Sequence, residues 1–429
     1  MLKYLAIVLT AVAVSLFYFP FEFSFLPGIN TKMMLAVMGI GIAAYRLIQN
    51  RTSGIPKGIA KIVLLSGVVS LMGLFSVIVN NTPDYAYSTY FISMAVWLSG
   101  AFTVCTLIKT VHGRLTVERI SMYLVIVCAF QCIMALVIDS SIEIKAFIDR
   151  YVMQDQERLT KLDRLYGIGA WLDVAGVRFS AAMIMLVYVV NRHKALMSNF
   201  QIFLSVSLYV LIAVVGNMIA RTAIVGVGLS IAYLLLTFRP DNVSRSSFRV
   251  ARILLLIVAV AVPMGIYSYN HNPQFQELFR FAFEGFFSLF EEGVWQTDST
   301  DRLQTMIVFP DNVKTWIMGD GYFINPYDTD PYYVGEFIGG YYMGTDIGYL
   351  RFIFYFGLIG LIAFSYFFIA VARECIKIMP EHKTLILFIL LLGFIIWLKV
   401  ATDVFLVFAL LLCASYMKDE ETSQIESEL

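Results

Sequence analysis

Apolar residues in this chain come in runs approaching the roughly 20 residues a helix needs to cross about 30 Å of hydrocarbon. About twelve runs can be drawn: Tyr4–Phe19, Met33–Ile48, Ile59–Val79, Thr89–Ile108, Val117–Ile138, Gly176–Val190, Phe200–Val215, Thr222–Phe238, Ile253–Tyr269, Ile347–Val371, Leu385–Leu398 and Phe405–Met417. Several are short for a bilayer, so their helices are expected to extend by a few residues. The first run follows Lys3 but has no small-residue cleavage site, and it reads as a retained helix rather than a signal peptide. Two long polar segments interrupt the series. The first, 139–175, has mixed charge and reads as partly helical over Ile142–Leu165. The second, 271–345, holds eleven acids against Arg280, Arg302 and Lys314. Its tryptophans and tyrosines argue against disorder, and loops of such length are generally functional when they are ordered.

This pattern predicts an all-α polytopic membrane protein with about twelve transmembrane helices and two long, partly helical outer loops. The expected divisions are five helices over 1–138, the first long loop over 139–175 and helices six to nine over 176–270. The large loop then covers 271–345, helices ten to twelve cover 346–417, and an acidic tail, expected to be disordered, covers 418–429.

Composition reinforces the membrane reading: 59% of residues are hydrophobic and 14% charged, against roughly 45–50% and 25% in soluble proteins. A soluble fold of 429 residues could not hide that much apolar surface. Formal net charge is +0, so nothing points to nucleic acid as a partner. The five cysteines fall in apolar runs or at their ends, which leaves no disulfide framework in the outer loops. Cys128 and Cys132 lie one helical turn apart without an accompanying His or acid, which favours packing over metal binding.

Charge placement sets the orientation. The even-numbered joins between runs carry sixteen Lys and Arg, whereas the short odd-numbered joins hold only Lys32, Arg221 and Lys399. By the positive-inside rule both termini are cytoplasmic and both long loops face outward.

Against that bias, several arginines stand on the outward side. Arg164 lies in the first long loop. Arg178 opens the sixth run in Leu172-Asp173-Val174-Ala175-Gly176-Val177-Arg178, and Arg221 opens the eighth in Gly216-Asn217-Met218-Ile219-Ala220-Arg221. Arg302 sits in the large loop, and Arg351 comes five residues after Asp346. A guanidinium cannot deprotonate, so at membrane depth it needs a partner or a wet cavity. Each could snorkel or pair with an acid. Together, at a membrane surface, they also suit a lipid-linked diphosphate, whose oxygens accept bidentate bonds from the planar fork. No phosphate-loop, zinc or EF-hand spacing competes. The aromatic stretch from Trp316 through Tyr322 to Tyr342 is open to two readings, an interfacial belt or a sugar site in which rings cover a pyranose and carboxylates accept its hydroxyls.

Four stretches carry a family resemblance. They are Arg164-Leu-Tyr-Gly-Ile-Gly through Asp173-Val-Ala-Gly-Val-Arg178, Gly216-Asn-Met-Ile-Ala-Arg221-Thr, Ser299-Thr-Asp-Arg302-Leu with Trp316-Ile-Met-Gly-Asp-Gly-Tyr-Phe, and Thr345-Asp-Ile-Gly-Tyr-Leu-Arg351 leading into Gly357-Leu-Ile-Gly. In this order, with a large late outer loop, the chain resembles the O-antigen polymerase (Wzy) and ligase superfamily of bacterial envelopes.

The resemblance implies a GT-C-like, metal-independent glycosyltransferase of the bacterial inner membrane with its active site facing the periplasm and no cofactor. It implies transfer of a glycan chain from undecaprenyl diphosphate to the non-reducing end of a lipid-linked repeat unit, and a chain-length regulator as a partner. Where the ligase branch carries a His before the tenth-helix motif, this chain has Thr345-Asp346, which favours polymerase. On this reading Arg178 and Arg221 stabilise the leaving diphosphate, and Arg164, Arg302, Arg351, Trp316 and Tyr322 contact phosphate or sugar. Asp173, Asp301 and Asp346 are candidate bases, though an ion pair explains Asp173 equally well. Two other functions stay open: ligation to lipid A–core, and transport of a lipid-linked sugar, which would need ionisable groups near the bilayer midplane.

Overall fold

The computed structural model describes residues 2–49, 56–154, 164–238, 245–329 and 341–428. All twelve apolar runs fall on helices. In chain order the helices are α1 Leu2–Tyr18, α2 Thr31–Ile48, α3 Lys57–Asn80, α4 Tyr90–His112, α5 Val117–Ser140, α6 Ile142–Tyr151, α7 Leu172–His193, α8 Asn199–Ile219 and α9 Ala223–Thr237. They continue with α10 Arg245–His271, α11 Pro273–Ala282, α12 Glu284–Glu291, α13 Asp298–Thr305, α14 Val313–Met318, α15 Pro326–Thr329, α16 Gly348–Ile378, α17 Lys383–Ile396 and α18 Phe405–Glu428. Eight of them, α2 to α5, α7, α8, α10 and α16, are long and apolar enough to cross a membrane, while α1, α9 and the Phe405–Met417 part of α18 are shorter apolar helices. The protein is an all-α, multi-pass membrane protein.

Local sequence explains where these helices begin. Ser198 and Gln201 form a reciprocal capping box at α8, satisfying two backbone donors that have no partner inside the helix. Asn272 accepts the Phe275 N–H ahead of Pro273 at the first position of α11, where proline's missing donor costs nothing.

Three expectations need correction. Among the described residues the helix expected over Ile142–Leu165 ends at Tyr151; Val152–Met153 is a strand, Arg164 and Leu165 are not helical, and residues 155–163 lie outside the described set. The backbone of the acidic tail continues α18 to Glu428, so it is helical rather than disordered. The sequence reading also contained no strand, yet Glu22–Phe23 pairs antiparallel with Leu26–Asn30 on one side and with Val152–Met153 on the other. The rings of Phe21 and Phe25 each lie 5.0 Å from that of Phe23, the first edge-on and the second stacked.

The chain divides into two compact units. The first contains Met1–Leu35 and Val104–Gln296. Its centre is α7, packed against α5, α8 and α9. Gly176 makes the close approach to α9 achievable, because a Cβ there would collide with the Thr222 hydroxyl. The Ser180 hydroxyl then donates to the Thr222 carbonyl at 3.1 Å and accepts the Gly226 N–H at 3.1 Å.

The second unit contains Ala36–Thr103 and Thr297–Leu429, with α16 at its centre against α3, α14 and α18. Helix α16 is interrupted at Phe356 and Gly357, where Gly357 has φ 68°. This left-handed backbone suits glycine, and the Ile317 carbonyl fills the space a Cβ would need. The segment after α14 docks at the break, with the Asp320 and Gly321 N–H groups donating to the Phe354 and Tyr355 carbonyls at 2.6 and 3.1 Å. The third and fourth sequence motifs are thus two sides of one junction.

Candidate functional site

Arg164, Asp173, Arg178 and Arg221 belong to the first unit, and their positions follow from three local features. The segment from Arg164 to Trp171 is pinned by Gln131, whose Oε1 accepts the Ile168 N–H at 2.8 Å. Tyr166 anchors its start by donating to Asp149 at 2.8 Å. Burial raises the Tyr166 phenol pKa, and the bond to Asp149 adds to that rise, so the group remains a donor at neutral pH. Arg221 lies in the tight join between α8 and α9, which brings its side chain to the corner between α11 and α12.

At that corner Phe281 is shared by two cations. The guanidinium carbon of Arg221 is 3.9 Å from the ring centroid and that of Arg164 is 4.7 Å from it. Both distances are well inside the ~6 Å range of cation–π attraction. Arg221 also forms an ion pair with Glu284, and the two side chains are only 14% and 28% exposed. Low exposure strengthens such a pair relative to one in open water. The result is two guanidiniums, one aromatic ring and one carboxylate within a single cluster.

Asp173 lies in the first turn of α7 and its Oδ1 accepts from the Thr222 hydroxyl at 3.1 Å. That bond ties it to the residue after Arg221. Arg178 is in the second turn of α7 rather than at its opening, about 140° around the helix from Asp173 by the 3.6-residue repeat. Its guanidinium carbon is 5.9 Å from the Tyr18 ring and 5.4 Å from the Phe19 ring, while its backbone carbonyl accepts from the Tyr18 hydroxyl at 3.1 Å. The structure therefore joins Arg164 with Arg221 and seats Arg178 on a separate pair of rings.

The other candidates belong to the second unit. Arg351 is buried, 6% exposed, with its guanidinium carbon 3.7 Å from the Phe323 centroid and 4.0 Å from the Tyr341 centroid. It donates to the Phe323 carbonyl at 3.0 Å and meets Asp346 at 3.5 Å, so the spacing of five read from the sequence is an ion pair. Trp316 donates its indole N–H to the Pro310 carbonyl at 3.0 Å. Tyr322 packs against Tyr342, ring to ring at 5.2 Å, and the Tyr342 hydroxyl donates to Asp320 at 3.2 Å. Asp301 and Arg302 are exposed on α13, which packs through Leu303 against the start of α16.

Sequence reasoning missed Phe281, Glu284, Tyr18, Phe19 and Asp84. Asp84 is buried, and its carboxylate accepts the N–H groups of Phe323 and Ile324 at 2.7 and 2.9 Å. Nothing distinguished Glu284 among the acids of its loop. All five cysteines are buried and free. Among the described residues no group of three or more His, Cys, Asp or Glu side chains could hold a metal ion. No family model, curated protein or solved structure matches the chain.

Proposed function

We propose that this protein is a polysaccharide polymerase of the O-antigen type in the bacterial inner membrane. On this reading it has about twelve spans, cytoplasmic termini and a periplasmic active site. It moves a growing glycan from undecaprenyl diphosphate to the non-reducing end of an incoming lipid-linked repeat unit. The observation that carries the reading is the pair Arg164 and Arg221 against one shared ring, with the Glu284 carboxylate beside Arg221. A carboxylate and a phosphate present similar oxygen acceptors to a guanidinium. Glu284 accordingly marks the position a diphosphate oxygen takes when the carrier binds.

The chemistry follows from charge. The bond between the anomeric carbon and the diphosphate oxygen breaks, and the acceptor hydroxyl oxygen forms the new bond to that carbon. Negative charge builds on the departing diphosphate, and fixed guanidiniums stabilise it more in the transition state than in the ground state. The acceptor proton passes to a carboxylate. Asp173 is our candidate for that base because Thr222 ties it to the residue following Arg221.

The test is incubation of purified protein with undecaprenyl-diphosphate repeat units and separation of the products by size. A ladder of lengthening chains that disappears in Arg221→Ala supports the proposal. Carriers crossing a vesicle bilayer without chain growth would instead identify a transporter, and product on lipid A–core a ligase.

A further inference from the structure

Helices α1 and α5 of the first unit border a groove of about 710 Å³. Its walls are apolar, and Val8, Val12, Ile126 and Phe130 in them are exposed by about half. Exposed side chains of this kind on a membrane-spanning helix face hydrocarbon. Along α5 the groove runs from Glu118 to Gln131, about 20 Å at 1.5 Å per residue. One leaflet supplies about 15 Å of hydrocarbon, so the groove accommodates an acyl tail along its length.

The two ends differ. At the outer end Gln131 is hydrogen-bonded to Ser15 at 3.2 Å and to the Ile168 N–H at 2.8 Å, which uses the polar groups inside the fold. At the other end the groove opens between His112, Glu118 and Arg119. Arg119 donates to the backbone carbonyls of His112 and Arg114, at 3.1 Å for His112. His112 meets the Tyr123 hydroxyl at 2.9 Å. Lys3 is near enough to act electrostatically on His112 together with Arg119. Glu118, the one acid among the described residues lining this mouth, faces Arg192 at 3.7 Å and His193 at 3.5 Å. What remains is a positively charged rim on an apolar slot.

From this we infer that the groove between α1 and α5 holds one acyl chain of an anionic phospholipid whose headgroup lies against Lys3 and Arg119. Basic side chains at a membrane surface attract anionic headgroups, and the slot supplies the apolar contact. In the orientation proposed above that headgroup is in the cytoplasmic leaflet, and the tail reaches Ile168 on the segment that begins with Arg164.

Native mass spectrometry of the full chain in neutral detergent, with phosphatidylglycerol and phosphatidylcholine added in equal amounts, tests the inference. Phosphatidylglycerol should be retained in preference, and Lys3→Gln should weaken it about fivefold, the effect of one surface charge. Ala11→Trp, which fills the groove from its lipid-facing side, should remove the bound lipid while the protein still purifies as wild type. Equal retention of the two lipids, or phosphatidylglycerol binding unchanged in Ala11→Trp, would overturn the inference. So would displacement of phosphatidylglycerol by an equal amount of undecaprenyl phosphate, which would assign the groove to the carrier. These readings do not involve polymer synthesis, so their outcome is separable from that of the proposed function.

Discussion

Arg221 and Phe281 stand sixty residues apart in sequence and 3.9 Å apart from guanidinium carbon to ring centroid. Arg164 leans on the same ring. A ring that contacts two cations keeps both positive charges close despite their repulsion, each contact contributing roughly 0.5–2 kcal/mol. Phe281→Leu preserves apolar volume and removes the quadrupole. We expect it to slow chain growth by on the order of tenfold, with Phe281→Tyr close to wild type, as measured by product length against time.

The ion pair at Arg221 makes an opposite pair of predictions. Arg221→Ala should abolish polymer without loss of protein from the membrane, and Arg221→Lys should restore little, because an ammonium cannot reproduce the planar fork. Glu284→Gln removes the carboxylate that occupies the guanidinium. Affinity for the lipid diphosphate should then rise by on the order of tenfold, equivalent to about 1.4 kcal/mol. Binding of the labelled carrier to wild type and to all three variants measures this directly. A fall in affinity in Glu284→Gln would show that the acid supports the site instead of competing for it.

In the second unit Asp84 is expected to act on stability. Its two charge-assisted bonds hold the Phe323 and Ile324 backbone, and bonds to an ionised acceptor contribute roughly 1.5–3 kcal/mol each. Asp84→Ala should lower the melting temperature in detergent and expose residues near Tyr322 to protease. Asp84→Asn, which keeps an acceptor oxygen, should lie between.

Gly357→Ala tests the break in α16. The substitution forces an L side chain into φ 68° and drives its Cβ into the Ile317 carbonyl. Strain of roughly 1–3 kcal/mol from the backbone alone, added to the collision, should reduce the yield of folded protein sharply. Ala at Gly228, which has open space around it, provides the control and should purify normally.

Much of the helical layout was legible because hydrocarbon imposes a length and a composition that a single sequence displays. The glycines of the motifs were legible too, although their reasons were not: Gly176 serves the crossing of α7 with α9, and Gly357 serves the break. The strand over Glu22–Phe23 had a readable signal in the alternation of Phe21, Phe23 and Phe25, hidden by its position between two long apolar runs. Glu284 and Asp84 had none. Their partners are sixty or more residues away, and a single acid in a polar segment looks the same whether it pairs or is solvated. Arg178 and Asp173 illustrate the converse: five residues suggested a pair, but a helix turns them onto different faces, one toward Tyr18 and Phe19 and the other toward Thr222.

The interruption at Gly357 has a consequence for anyone exchanging segments between related chains. Within hydrocarbon, a carbonyl released from its helix has no water to turn to. Here Phe354 is served by Asp320, and Tyr355 by both Gly321 and the Ser76 hydroxyl at 2.6 Å. A chimera that imports a foreign loop over 298–346 while keeping the host's α3 and α16 would cut across this seam. Grafts designed to transfer specificity should carry α3, the 319–321 turn and the first half of α16 as one inseparable block.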